Sequence, residues 1–153
     1  MELKQEQVKE LSHSKNYRET IMKAQELIAA QDQVECMPIH FFADGVYGRE
    51  MVIIPNVIVI GKIHKHAHLN IISQGRILVS TEYDGFQELE APLTFISKPG
   101  TKRMVFALEE TIWTTLHANP TNTQDLKELE EMIIAKDYET YEAFEAQKLE
   151  CIK

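Results

Sequence analysis

Two periodicities divide the chain. Residues 1–30 place apolar side chains at helical spacing, with Val8 and Leu11 three apart and Ile21, Ala24, Leu27 and Ile28 at intervals of three and four. Ser12-His13-Ser14-Lys15-Asn16 interrupts that pattern and offers a start for a second helix; His13 reads as a solvated turn residue. From Met37 to about His117 the period drops to two, in short β-branched and aromatic runs split by turn residues. The predicted strands are Pro38–Ala43, Arg49–Ile54, Val57–Gly61, His64–Ser73, Arg76–Tyr83, Phe86–Glu90, Thr94–Ser97, Arg103–Leu108 and Thr111–Ala118. Asp44-Gly45 and Asp84-Gly85 are hairpin signals, and Pro55-Asn56 and Lys98-Pro99-Gly100 are turns. Short strands with close turns predict a mainly β fold, an antiparallel sandwich or jelly-roll barrel.

From Asn119 the helical period returns. Thr121 and Gln124 stand at capping-box spacing. Leu126, Leu129 and Ile133 make one face with Met132 beside it, and Tyr138, Tyr141 and Phe144 make a further stripe. These helices are expected to pack on the barrel or on a partner subunit. The acidic residues among them, including Glu128, Glu130 and Glu131, read as a solvated face. The organisation is therefore an N-terminal helical segment (1–36), a β-barrel (37–118) and a C-terminal helical segment (119–153).

Composition agrees with one soluble domain: 153 residues, 44% apolar and 26% charged. The apolar run Met51–Ile60 is broken by Pro55 and Asn56 and is too short to span a membrane. The N-terminal Met-Glu-Leu-Lys-Gln-Glu-Gln lacks the apolar stretch of a secretion signal, and Cys36 and Cys151 fit no metal spacing. A cytoplasmic protein is the expectation. The net charge of −8 is uneven. Residues 48–108 carry seven Lys and Arg against five Asp and Glu, whereas residues 109–153 carry four against eleven. This acidity argues against nonspecific nucleic-acid binding, which depends on neutralising phosphates. The mildly basic centre leaves room for a small anionic ligand.

The stretch Gly61-Lys-Ile-His64-Lys-His66-Ala-His68-Leu-Asn70, closed by Gly75, is the most distinctive. On one straight strand His64, His66, His68 and Asn70 share a face, about 7 Å between neighbours and about 13 Å from His64 to His68. A metal holds imidazole nitrogens at about 2.0–2.1 Å, so a neighbouring pair can chelate one ion and all three only around a bend.

This stretch resembles the first motif of the cupin family, a His-x-His pair followed by Glu, six residues and Gly. Gly75 puts His68 where that Glu would stand. Ser97-Lys98-Pro99-Gly100-Thr101-Lys102-Arg103 resembles the second motif, Pro-x-Gly-x-x-His, with one residue missing after Pro99 and Arg103 nearest the expected His. The resemblance covers about residues 38–118 and extends to small cupin-like proteins of tailed bacteriophages. It implies a jelly-roll barrel, to which the helical period adds helices at both ends, and, if phage-encoded, the cytoplasm of a bacterial host.

Candidate chemistry follows from the residue types. His64, His66, His68 and His117 are candidate ligands for a divalent transition metal, with Zn, Fe, Mn, Ni and Cu all compatible. His117 ends a strand on which Trp113, Thr115 and His117 share a face. The alternative is a metal-free pocket of hydrogen-bonded histidines. Arg103, Lys102 and Arg49 are candidate anion-binding residues, because a guanidinium grips phosphate or carboxylate through two bonds. Alternation allows only one of Lys102 and Arg103 to face inward, and Arg103 is favoured. Asn70 and Trp113 are candidate ligand contacts. Tyr47 and Glu110 are candidate catalytic groups, with a filled barrel mouth and a solvated hairpin tip as their alternatives. Three readings stay open: a metal-dependent enzyme, a metal-free binder of a small anion such as a nucleotide, and a structural protein. A homo-oligomer is expected, since barrel edges and apolar helix stripes need cover.

Overall fold

The structure is a computed structural model, and it describes residues 16–82 and 85–152. The expected helical positions Val8 and Leu11, the interruption from Ser12 to Lys15, and Tyr83 and Asp84 lie outside the described residues.

The strands are β1 (Ile39–Ala43), β2 (Val46–Ile53), β3 (Ile58–Ile60), β4 (Ile63–His64), β5 (His68–Gln74), β6 (Arg76–Thr81), β7 (Gly85–Glu90), β8 (Leu93–Ser97), β9 (Met104–Ala107), β10 (Thr111–Ala118) and β11 (Ile134–Ala135). The helices are α1 (Tyr17–Ala29), α2 (Leu126–Ile133) and α3 (Tyr138–Glu150). One sheet runs β1-β2-β10-β5-β8, the other β3-β9-β6-β7, and β11 pairs with β4. Every pairing is antiparallel. The fold is an antiparallel jelly-roll barrel with helices at both ends.

Alternation along the strands builds its core. Ile53 and Ile72 from the five-stranded sheet meet Ile77, Val79, Val105 and Ala107 from the four-stranded sheet. The intervening residues Leu78, Met104 and Phe106 face outward, where Tyr17 and Ile21 of α1 cover them. Both faces of β6 are thus buried, which is why Ile77-Leu78-Val79 reads as a continuous apolar run. Tyr17 Oη, 3.0 Å from the carbonyl oxygens of Ser80 and Lys102, ties α1 to that sheet. The face α1 buries is Tyr17, Ile21 and Ala24. Leu27, expected in that stripe, is instead 62% exposed.

Two local expectations need correction, and a third is made definite. The single strand expected over His64–Ser73 is two strands, broken by a bend at Lys65-His66. Lys65 N donates to Ile133 O at 2.8 Å, and Ile134 pairs with His64, so the returning C-terminal segment turns the chain there. The α2 cap is Asp125, whose carboxylate accepts from the amides of Lys127 and Glu128, in place of the Thr121 box. The C-terminal segment is two helices joined through β11, and it packs on the barrel: Leu129 and Ile133 on Tyr47, Tyr141 on Ile63. Gly100, at φ +79°, lies against the Tyr141 ring, where an added Cβ would come within 2.7 Å.

Candidate functional site

A cavity of about 170 Å³ lies between the sheets, at the end of the barrel that β4 and β11 close. Its apolar wall includes Met51, Ile53, Val59, Val105 and Trp113. Its polar residues are Arg49, Lys62, His64, His68, Asn70, Thr101, Arg103 and Thr115. Among the described residues that line it there is no carboxylate.

The bend at Lys65-His66 brings three imidazoles together. The ring centroids of His64 and His68 are 4.2 Å apart, those of His68 and His117 4.8 Å, and those of His64 and His117 5.3 Å. The same bend sends His66 outward, where its exposed ring meets Phe144 of α3 edge-on at 5.3 Å. His64 is held through its backbone: Gly100 N donates to its carbonyl at 2.8 Å, and its own amide reaches Thr101 O at 3.3 Å. His68 Nδ1 donates to His66 O at 3.2 Å. That leaves His68 Nε2 buried without a hydrogen-bond partner among the described residues. His117 Nε2 is 3.2 Å from Thr115 Oγ1.

All three imidazoles are neutral at physiological pH. Burial pushes His68 down to about 4 and His117 to about 3, and neighbouring cations oppose protonation further. His64 keeps some exposed area, yet the packing around its ring, followed by His68 and His117, pushes it well below the ordinary imidazole value.

The cationic residues separate by role. Arg103 lines the cavity with its guanidinium 5.3 Å from the Phe95 ring centroid, and Arg49 approaches Met51 Sδ at 3.9 Å. Lys62 pairs with Glu130 of α2. Lys102 points away from the cavity and is 4% exposed. Its Nζ donates to Gln25 Oε1 of α1 at 2.5 Å and to Gly61 O at 2.7 Å. Burial, followed by Lys62, lowers its pKa to about 8.

Asn70, 1% exposed, sits between two strands. Its Oδ1 accepts from Trp113 Nε1 at 3.0 Å, and its Nδ2 donates to Ser97 Oγ at 2.7 Å. Tyr47 is buried beside the cavity, in a second cleft. Its Oη bonds His40 Nδ1 at 2.8 Å, and its ring lies 6.0 Å from that of His117. Glu110 does not join the cluster: it accepts from Gln74 in the exposed turn before β10, while His117 is near the far end of that strand, roughly 23 Å along. Thr115 and Glu130 were not singled out as site residues. Thr115 was legible as a partner of Trp113 and His117 on one face. Glu130 carried no signal, since any exposed carboxylate on α2 reads alike.

The donor set contains imidazoles suited to transition metals, and the orphaned His68 Nε2 points to an absent partner. As arranged, however, no three or more His, Cys, Asp or Glu among the described residues are placed to hold a metal ion. The adjacent guanidiniums also oppose a cation.

No protein-family model matches the chain, and no curated protein matches it. Among solved structures, a cupin 2 conserved barrel domain protein from Salinispora arenicola is 14% identical, over 66% of this chain and 92% of that one, at a TM-score of 0.48. A cupin-2 domain containing protein from Shewanella frigidimarina is 12% identical, over 63% and 92%, at 0.46. A double-stranded β-helix protein from Klebsiella pneumoniae is 14% identical, over 63% and 90%, at 0.47. By its strand order and the packing of its two sheets the chain is an antiparallel jelly-roll barrel. Among the described residues no helix is long and apolar enough to cross a membrane.

Proposed function

We propose that the barrel binds a small anionic molecule, gripped by Arg49 and Arg103. One observation carries this reading: three cationic side chains line the cavity and no described carboxylate does. An anion about 4 Å from a guanidinium gains roughly 4 kcal/mol at an effective dielectric of about 20, before desolvation is subtracted. The neutral imidazoles add hydrogen-bonding groups that accept as well as donate. His64 and His68 are also the imidazoles that line the cavity, whereas His117, Tyr47 and Glu110 stand outside it. Isothermal titration calorimetry with inorganic phosphate tests the reading. Micromolar to millimolar binding that is lost in Arg49→Gln/Arg103→Gln supports it, and no heat at millimolar phosphate, acetate or citrate refutes it. A phage-encoded protein sequestering a nucleotide-like host molecule is one biological setting for such a metal-free binder.

The second reading is a metal-dependent enzyme, favoured by the orphaned His68 Nε2. In it His64, His68 and His117 hold the ion after a small rearrangement of their rings, and His66 stays outside. Mass-spectrometric metal analysis of protein purified without chelators decides it. Stoichiometric Zn, Fe, Mn, Ni or Cu, lost when His64, His68 and His117 are changed to Ala, supports this reading. No metal after each ion is offered removes it.

We also infer that two copies associate through the outer face of the five-stranded sheet. Phe41, Gly48, Leu116, Leu69 and Ile96 stand side by side across its five strands. Phe41, Leu69 and Ile96 are 49, 43 and 70% exposed, and Ile39, Val46 and Val52 are exposed beside them. Glu50 is the one charged side chain on that face of those strands, and its carboxylate accepts from Thr114 Oγ1 at 2.7 Å. That face adds only one carboxylate per copy to the contact between chains of net charge −8. Stable interfaces cover about 800 Å² per partner, the scale of such a sheet face.

A further inference from the structure

A second cleft, of about 260 Å³, lies beside the barrel cavity. Its sheet side is aromatic: His40, Tyr47 and His117 present neighbouring rings at 5.9 and 6.0 Å. Its other side is built by Leu126, Leu129 and Ile133 of α2, with the carboxylate of Glu130 beside them. Arg49, Lys62 and His64 line both spaces, so the cleft and the cavity meet at a cationic neck. Lys62 is already paired with Glu130 across that neck. Arg49 has no ion pair among the described residues, and its guanidinium approaches the thioether of Met51 at 3.9 Å. An inorganic anion would use the neck and leave the cleft unfilled. Leu126, 46% exposed, marks the way in from solvent.

We propose that the anion is the charged end of an organic molecule, whose planar or apolar body lies in the cleft lined by His40, His117 and Leu126, beside the packed contact of Tyr47 with Leu129 and Ile133. The ligand class is an aryl or alkyl phosphate or carboxylate, with its charge at Arg49. This rests on the anion-binding reading and adds the body of the ligand to it. A flat ring suits the cleft, because aromatic faces and aliphatic side chains both cover it without needing a polar partner.

The test uses the full-length protein and two probes, inorganic phosphate and phenyl phosphate, measured by titration calorimetry. Phenyl phosphate is expected to bind about tenfold or more tightly than inorganic phosphate. Leu126→Trp, which fills the mouth of the cleft from a half-exposed position, is expected to abolish that advantage and leave inorganic phosphate within about twofold. Pro38→Trp, at another residue that lines the cleft, does the same, so the outcome does not depend on one variant folding; melting curves verify both. Equal affinity for the two probes, or an advantage that survives both variants, overturns the proposal while leaving anion binding intact. Binding of neither probe overturns the anion reading and this proposal with it.

Discussion

Lys102 Nζ donates to Gly61 O at 2.7 Å and to Gln25 Oε1 at 2.5 Å, joining α1 to the barrel with a buried cation that has no carboxylate partner among the described residues. Its pKa is about 8 in the fold against 10.5 in a free chain. Between those values the unfolded chain binds more protons, so stability rises with pH, by an amount on the order of 3 kcal/mol over the full window. Tyr17 works the other way: burial raises it from 10.0 to about 12, so stability falls above pH 10 as unfolded tyrosine ionises first. Urea unfolding at a series of pH values is expected to show the midpoint climbing from pH 8 to about 9.5 and dropping beyond 10. Lys102→Met should flatten the climb and spare the drop. A climb that persists in Lys102→Met would assign it to another group.

Asn70 holds two strands in place through one amide, accepting from Trp113 and donating to Ser97. Asn70→Leu keeps the size but strands the indole N–H and the Ser97 hydroxyl away from water. Each lost bond of this kind costs about 1–3 kcal/mol, so a total near 3 kcal/mol is expected in chemical denaturation. Ser97→Ala removes one partner only and should cost less. Equal costs for the two variants would mean that Trp113 finds another acceptor.

The proposed anion grip separates Arg103 from Glu110, both candidate site residues in the sequence. Arg103→Gln is expected to weaken phosphate binding about tenfold to a hundredfold, the worth of a charge-assisted bond. Glu110→Gln, changed in the exposed turn that Gln74 touches, should leave binding unaltered. Rising salt should weaken the wild type and matter less to Arg103→Gln. The measurement is a phosphate titration at two ionic strengths, and an Arg103→Gln variant that binds as the wild type does would shift the grip to Arg49.

Much of the barrel was legible from period alone. The face shared by Trp113, Thr115 and His117 follows from alternation on a straight strand. The histidine row did not, because alternation assumes that the strand continues. Ile133 O captures the Lys65 amide and β11 pairs with His64, contacts made by residues some 70 positions further along. With the chain turned, His64 and His68 come to 4.2 Å between rings, against about 13 Å on a straight strand. Local periodicity carries no trace of such a return, which is also why Glu130 read as one more solvated carboxylate. The Lys102–Arg103 pair was half legible: alternation required one to turn inward, but the partners that bury Lys102 lie on α1 and at Gly61.

Gly100 joins the resemblance motif to the C-terminal helix. Its φ of +79° and the Tyr141 ring, 2.7 Å from the position of an added Cβ, oppose any side chain. Gly100→Ala is expected to cost about 3 kcal/mol, of which roughly 1–2 is backbone strain and the rest overlap with the ring. In a Tyr141→Ala background only the backbone part should remain, and a double-mutant cycle in urea reads the difference. A cycle with no coupling would mean that α3 moves aside freely.

Association through the five-stranded sheet has its own test. Ile96, at 70% exposed, and Leu69, at 43%, are neighbours in the apolar row and contribute nothing to the buried core. Ile96→Glu and Leu69→Arg should therefore leave the melting behaviour of the folded chain within about 0.5 kcal/mol, as surface changes do. Light scattering behind a sizing column is expected to give twice the chain mass for the wild type and the single mass for each variant. Mixing the two variants sharpens the outcome. In an isologous contact the acidic and basic substitutions face each other's neighbourhood, and mixing them should restore part of the dimer. A wild type that elutes as a single chain at all concentrations would remove the interface and leave the apolar row as bare surface.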